Sequence, residues 1–540
     1  MVYPNGRTIN YDYGSDLSNT NAALDNAIGR LDAIVDGANS WDAGQVLEQY
    51  SYLGLSTIIA RNHPQTGINL TYLVSAGYIG SGGDQYVGLD QFGRVVDQNW
   101  VSTSSGQSVD NFIYSYDNNS NVTSEINLLN MAYNQTFTYD QLNRLTSSTL
   151  GFYGNAYQSW TLDSQGNWSS FTSNDTTQTE TANAQNQITS ISGSTTPTYD
   201  ANGNMISASL TSQPAASDTL TYDAWNRLVK VTNSSGQIIA QYTYNAMGYR
   251  VTESYPQGGT GIPAGEINYI YYDSQWQAIE TRTNGTANSN VTSQMVWSAA
   301  YINAAILQDS YIAGVIQPNS RLYFLQDANW NTTAAVGLIN VGWQVLQYYV
   351  YSPYGTITVL NEDGAGSTPI VNNLYQGMTL DPVTGLYYAR NRNYSPTLGR
   401  WINQDPAGYI NGANTYQFVM SNPVGNVDPS GCNAITNAGN AVTGAAKYAV
   451  PGGEFLEGVK ALPWFLRFML QQDAQSRYNQ DTQSCPPRDP WKDPLYTGLF
   501  KWSEGDPVAN FTPQEHQAVQ NWLNQNGQMG FWSWLWHEIH

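Results

Sequence analysis

Residues 137–145 read Phe-Thr-Tyr-Asp-Gln-Leu-Asn-Arg-Leu, and residues 220–228 read Leu-Thr-Tyr-Asp-Ala-Trp-Asn-Arg-Leu. Tyr139, Asp140, Asn143, Arg144 and Leu145 thus recur as Tyr222, Asp223, Asn226, Arg227 and Leu228. Each copy reads as a hairpin. An alternating strand ends at Asp, two residues follow, and then comes Asn or Gly, which tolerate a left-handed backbone. Arg-Leu opens the return strand, and alternation sends Tyr to one face and Thr or Ser to the other. Looser copies begin at Asp90, Asp117, Asp163, Asp200, Asn245 and Asp273. Asp117 to Asp140, Asp140 to Asp163 and Asp200 to Asp223 are each 23 residues apart, a fixed period that marks a repeat architecture. A lone hairpin is marginal in water, so consecutive copies are expected to join into one sheet.

Working outward, residues 377–431 hold three Asp-Pro pairs, at Asp381, Asp405 and Asp428, each followed by a glycine: Gly385, Gly408 and Gly431. Asp before Pro is pushed toward extended backbone, and Gly shortly after favours a turn. Between the turns stand Leu386-Tyr387-Tyr388, Arg390 and Arg392, Gly399-Arg400-Trp401, Asn414 to Val419 and Asn422-Pro423. In order and spacing this stretch closely resembles the Rhs repeat-associated core of the Rhs/YD-repeat family, and the hairpin copies resemble YD repeats. The resemblance covers most of residues 80–431. It implies an all-β fold, in which a YD-repeat array curls into a hollow shell closed by the core. The expected division is a shell at 1–376, a core at 377–432 and a variable C-terminal region at 433–540.

Composition agrees with a strand-and-turn protein. Charged residues make up 11%, against 39 Tyr and 48 Gly. The net charge of −21, with no Lys/Arg cluster, argues against a nucleic-acid surface on the shell and against binding to anionic membranes. No run reaches the ~20 apolar residues of a transmembrane helix. The start, Met1 to Gly6, lacks the basic and apolar regions of a signal peptide. Tyr11-Asp12 already looks mid-repeat, so Met1 is expected to lie inside a longer, secreted or cell-surface protein. Two cysteines, Cys432 and Cys485, do not make a disulfide scaffold.

Two segments carry conflicting or different signals. Over residues 20–35, Ala22, Ala23, Ala27 and Ile28 suit an amphipathic helix, whereas Asp25 followed by Gly29, Arg30 and Leu31 fits a repeat with one extra residue. The expectation is a hairpin. Beyond Gly431 the composition shifts, and Thr512-Pro513-Gln514-Glu515 is a capping box opening a helix. Residues 433–540 therefore read as small and mainly helical.

The resemblance also implies chemistry. In the family, aspartates of the two late Asp-Pro turns, helped by the Arg of Gly-Arg-aromatic, are proposed to cut the chain just after the second turn. The matching residues are Asp405, Asp428 and Arg400, with the cut between Cys432, where the family usually has Leu, and Asn433. Two carboxylates held together do not both ionise readily. One would activate water while the other, protonated, polarises the scissile carbonyl, and a guanidinium would keep the first ionised. The bland alternative is that both simply cap turns, as Asp381 is expected to do.

No cofactor or metal is expected. His537-Glu538-Ile539-His540 is one residue short of the zinc-protease spacing, and the other histidines are His63 and His516. The implied partners are the chain's own C-terminal segment inside the shell and, for a toxin-type protein, a secretion system or an immunity protein. The competing reading is a non-enzymatic surface adhesion or carbohydrate-binding repeat protein, which the abundant aromatic residues would suit.

Overall fold

The computed structural model describes residues 1–14, 22–38, 43–53, 57–72, 88–151, 156–210, 217–340, 342–361 and 368–436. All belong to one compact unit, Met1–Gly444. The helical region expected beyond residue 436 lies outside the described residues, as do His516 and Cys485.

The repeats form two long antiparallel sheets in which strands follow one another in chain order. The first has 14 strands, from Ile9–Asp12 to Ile188–Ile191. The second has 15, from Thr198–Tyr199 to Ile357–Asn361, with short Val315–Ile316 pairing only onto Ala305–Ile312. The expected all-β array is therefore present.

One repeat shows why the motif residues are what they are. Asp140 caps its own turn: its carboxylate accepts from the Leu142 and Arg144 amides at 2.9 and 3.0 Å and from Arg144 Nε at 2.7 Å. Asn143 takes φ 60°, the left-handed position. Arg144 Nη1 then donates to the Asp163 carbonyl of the next turn at 2.6 Å. The Tyr139 hydroxyl donates backwards to the Val122 carbonyl at 2.7 Å. The same backward bond runs from Tyr116 to Val95, Tyr244 to Leu228 and Tyr272 to Arg250. In these copies Tyr staples the hairpin to the one before, and Arg94, Arg144 and Arg227 staple theirs to the one after; the Tyr222 hydroxyl is buried without such a bond. Their spacing along the chain therefore encodes the pairing of neighbouring hairpins.

The sheets face each other through buried polar bridges. Arg7 pairs with Asp36 and with Asp309, each at 2.8 Å, and Arg321 pairs with Asp309 at 2.7 Å and Asp36 at 3.0 Å, all at most 1% exposed. Arg61 pairs with Glu48 at 2.8 Å and reaches Gln326 at 3.0 Å. Trp100 donates its indole N–H to the Gln326 carbonyl, and Thr333 donates to Asp110 at 2.5 Å. A cavity of about 450 Å³ lies against Trp160, Trp168, Phe171 and Tyr354. A separate apolar cluster, including Met205, Leu220, Leu228, Val231 and Ala240, packs on Leu386, Leu398 and Ile402 of the core stretch.

One sequence expectation is overturned. Residues 22–28 form a helix, Ala22–Ile28, rather than a hairpin strand. The three alanines of that segment lose least on helix formation. Gly29, at φ 66°, ends the helix, and the Arg30 amide returns to the Asp25 carbonyl at 2.9 Å. The Asp25–Arg30 pair that resembled a repeat turn instead closes the helix end as an ion pair at 2.5 Å.

Candidate functional site

The core builds a four-stranded antiparallel sheet from Thr379–Leu380, Tyr387–Ala389, Arg392–Ser395 and Arg400–Trp401. Its aromatic residues interlock: Tyr394 stacks on Phe418 with ring centroids 3.9 Å apart, and Trp401 meets both rings edge-on. Trp401 is fully buried and lies under the Arg392 guanidinium, 4.2 Å from ring centroid to Cζ. This packing fixes Arg392 from one side.

Three consecutive residues hold the segment that follows Asp428. Arg390 donates to the Pro429 carbonyl, Asn391 to Ser430 at 3.0 Å through its side chain, and Arg392 Nε to Gly431. Gly431 sits at φ 68°, and a Cβ there would lie 2.4 Å from the Ala389 carbonyl oxygen. Only glycine lets the chain come this close. On the far side, Asn426–Val427 pairs with Ile435–Thr436. The Cys432–Asn433 bond is thereby held on both sides.

Asp405 and Asp428 are brought together by one cation. Arg392 Nη2 lies 3.0 Å from Asp405 Oδ2 and 3.0 Å from Asp428 Oδ2, with all three side chains at most 3% exposed. The other oxygen of Asp428 accepts the backbone amides of Cys432 and Asn433, both at 3.1 Å, and the Ser430 hydroxyl at 3.2 Å. The other oxygen of Asp405 caps its turn, accepting from the Ala407 amide at 2.8 Å. Burial pushes Asp405 up to about 6; Arg392 opposes the rise and the Asp428 charge adds to it. The same burial pushes the Arg392 guanidinium down from its ordinary value, against the pull of both carboxylates.

Arg400 is not in this group. Its Nη2 donates to the Asn186 carbonyl at 2.7 Å and to Asn167 Oδ1 at 3.4 Å. It fastens the core to two turns of the first sheet, aided by Asn414, which donates to Asn167 at 2.9 Å. The guanidinium that touches the aspartates is that of Arg392, eight residues earlier, which the sequence offers only as one of the pair Arg390 and Arg392 between the Asp-Pro turns. The available signal was strand parity: Arg392 follows a tight turn directly after Tyr387–Ala389, in register with Trp401 through Tyr394. Asp381 caps its turn through the Val383 and Thr384 amides and accepts the Tyr242 hydroxyl at 2.6 Å.

His63 is buried between Trp100 and Tyr323, with its Nε2 3.3 Å from Glu48. Burial lowers its pKa, which suits a neutral core imidazole. Among the described residues, no cluster of His, Cys, Asp and Glu could hold a metal ion, and no helix is long and apolar enough to cross a membrane.

Residues 88–424 match the family model of the teneurin YD-shell. The chain is similar to double-stranded DNA deaminase toxin A of Burkholderia cenocepacia, 27% identical over 43% of this chain and 16% of that protein. It is also similar to toxin subunit YenC2 of Yersinia entomophaga, 37% identical over 19% of this chain and 10% of that protein. The crystal structure of TcdB2-TccC3 superposes with a TM-score of 0.57 at 20% identity, over 75% of this chain and 20% of that one. The matched portion is thus a fifth or less of the length of each of these relatives. With more than half its residues under the family model, and with the sequential two-sheet array and its Tyr and Arg staples, this chain belongs to the YD-shell family.

Proposed function

We propose that this chain is a toxin-type YD shell whose core hydrolyses its own Cys432–Asn433 peptide bond, leaving residues 433–540 as a separate polypeptide carried by the shell. The observation that supports this reading is the pairing of Asp405 and Asp428 on Arg392, with Asp428 accepting the amides on either side of the Cys432 carbonyl. An aspartate that merely capped its turn would need neither the second aspartate nor a buried arginine.

The roles follow from the contacts. Asp428 accepts three donors on one oxygen and Arg392 on the other, so it serves as a clamp that fixes the bond. Asp405, pushed up to about 6, is poised near neutrality and serves as the base. It takes a proton from a water that attacks the Cys432 carbonyl carbon and returns it to the departing Asn433 nitrogen. Arg392 keeps both carboxylates in place and balances one of their charges. Carriage of the released segment within the shell, and delivery by a secretion route to a competing cell, are the further parts of this proposal. They draw on the toxin relatives.

The test is the full chain on a denaturing gel with intact-mass measurement. The gel is run with reductant, so that no disulfide at Cys432 can hold the two pieces together. The expected masses are those of residues 1–432 and 433–540, with Asp405→Asn uncut. A wild-type chain that stays whole removes the reading. Limited proteolysis checks carriage, the 433–540 piece being expected to resist while the shell is intact.

A further inference from the structure

The loop between Asp405 and Asn414 carries one side chain that touches both ends of the proposed reaction. Asn411 Nδ2 lies 3.5 Å from Asp405 Oδ2 and 3.3 Å from the Cys432 carbonyl oxygen. Both partners are acceptors only, so the amide NH₂, with its two N–H bonds, must face them. Each contact is long for a hydrogen bond, as catalytic contacts often are before the reaction tightens them.

We propose that Asn411 is a catalytic residue of the self-cleavage, the donor that stabilises the oxyanion formed on the Cys432 carbonyl oxygen. This rests on the cleavage reading above. When the water oxygen bonds to the Cys432 carbon, the C=O π pair moves onto oxygen and the water's proton passes to Asp405. One N–H of Asn411 takes up the new negative charge, while the other keeps contact with Asp405. Collapse of the tetrahedral species re-forms C=O and breaks the bond to Asn433 nitrogen, which receives the proton from Asp405. The products are the Cys432 carboxyl and the Asn433 amine. Asn411 neither gains nor loses a proton, as befits an amide. A donor in this position discriminates between states, because it interacts more strongly with the oxyanion than with the neutral carbonyl.

The geometry also assigns a reason for the loop around it. Asp405 caps the turn through Ala407 and Gly408, and the chain then swings back so that Asn411 returns to its side. Tyr409 and Ile410 stand outward, 77% and 50% exposed, so the swing is not driven by burying them.

The experiment follows cutting over time in a pulse-labelled, cell-free synthesis of the full chain, comparing wild type, Asp405→Asn, Asn411→Ala and Asn411→Leu. Thermal unfolding midpoints are measured on each purified product. The expected result is a roughly 10²–10³-fold slower cut in both Asn411 variants, as for loss of one oxyanion donor, with the wild-type midpoint retained. The apparent ionisation of the pH–rate limb should move upward in both variants, because the Asn411 contact is one of the groups that hold Asp405 down. If wild type stays whole, the cleavage reading itself falls. If wild type is cut and Asp405→Asn is not, but either Asn411 variant is cut at the wild-type rate, only the role of Asn411 falls. Slow cutting that travels with a lowered midpoint in both variants also overturns it, by marking Asn411 as a structural residue.

Discussion

The turn at Asp140 and the core at Asp405 use the same two residue types to opposite ends. At the turn, one arginine serves one aspartate: Arg144 and Asp140 are partly exposed, at 13% and 26%, and pair at 2.7 Å. Although its partial burial works the other way, the Arg144 contacts and backbone amides hold Asp140 below the ordinary carboxylate range. In the core, one buried arginine serves two buried aspartates, which leaves one negative charge in excess, and Asp405 is pushed up to about 6. The difference teaches that an Asp–Arg pair is a staple when its charges match in a wet site. It becomes a proton-exchanging group when burial and an unmatched charge act together.

Removing the unmatched carboxylate should break this contrast most sharply. Asp405→Asn is expected to slow the 432/433 cut at least ~10³-fold, whereas Asp140→Asn should leave the cut rate unchanged. Reductive gels over a time course measure both. Next in size is the cation. Arg392→Ala leaves two carboxylates buried without a balancing cation and should destabilise the shell by about 3–5 kcal/mol in denaturant unfolding. Arg144→Ala, at a partly exposed pair, should cost about 1 kcal/mol or less.

The pH response sharpens the comparison further. The base is the ionised form of Asp405, so cleavage should fall as pH drops through about 6, tenfold for each unit below it. For stability the sign is reversed. A raised pKa means the folded chain binds the proton more tightly than the unfolded one, so Asp405 should cost stability as pH rises from about 4 to 6. Asp140 and Glu48 run the other way. Burial alone would raise Glu48, but Arg61 and His63 hold it at about 2. Its stabilising share is complete above the ordinary carboxylate range and should be lost as pH falls toward 2, visible in acid unfolding and removed in Glu48→Gln. The smallest effect should come from Tyr139→Phe, which deletes one backward staple to Val122 at about 1 kcal/mol while leaving the cut untouched.

Much of the fold was legible because its contacts are local. Tyr139, Asp140, Asn143 and Arg144 bond to their own turn or to the hairpins on either side, so a 23-residue spacing carries nearly all the pairing information. The helix Ala22–Ile28 was misread because Asp25, Gly29 and Arg30 imitate a repeat, while the alanines on both sides of Asp25 decided the backbone. The aspartates of the candidate site were legible from their Asp-Pro turns. Their arginine was legible only in part: strand parity sets Arg400 on the face opposite Trp401, but Arg390 and Arg392 look alike on paper, and choosing between them requires knowing which one Trp401 packs beneath. Asn411 gave no signal at all, as one Asn in a chain crowded with them.

The amino-acid order alone determined the hairpin, its period and its partner strands, because each repeat's polar groups are satisfied within one neighbour's reach. Only the tertiary structure decided which face meets which. Arg7 with Asp309, Arg61 with Gln326 and Arg392 with both Asp405 and Asp428 join residues that no repeat relates. The physical reason is burial. A charge taken from water must find a partner wherever the closed sheets deliver one, and that choice belongs to the packing of the whole unit.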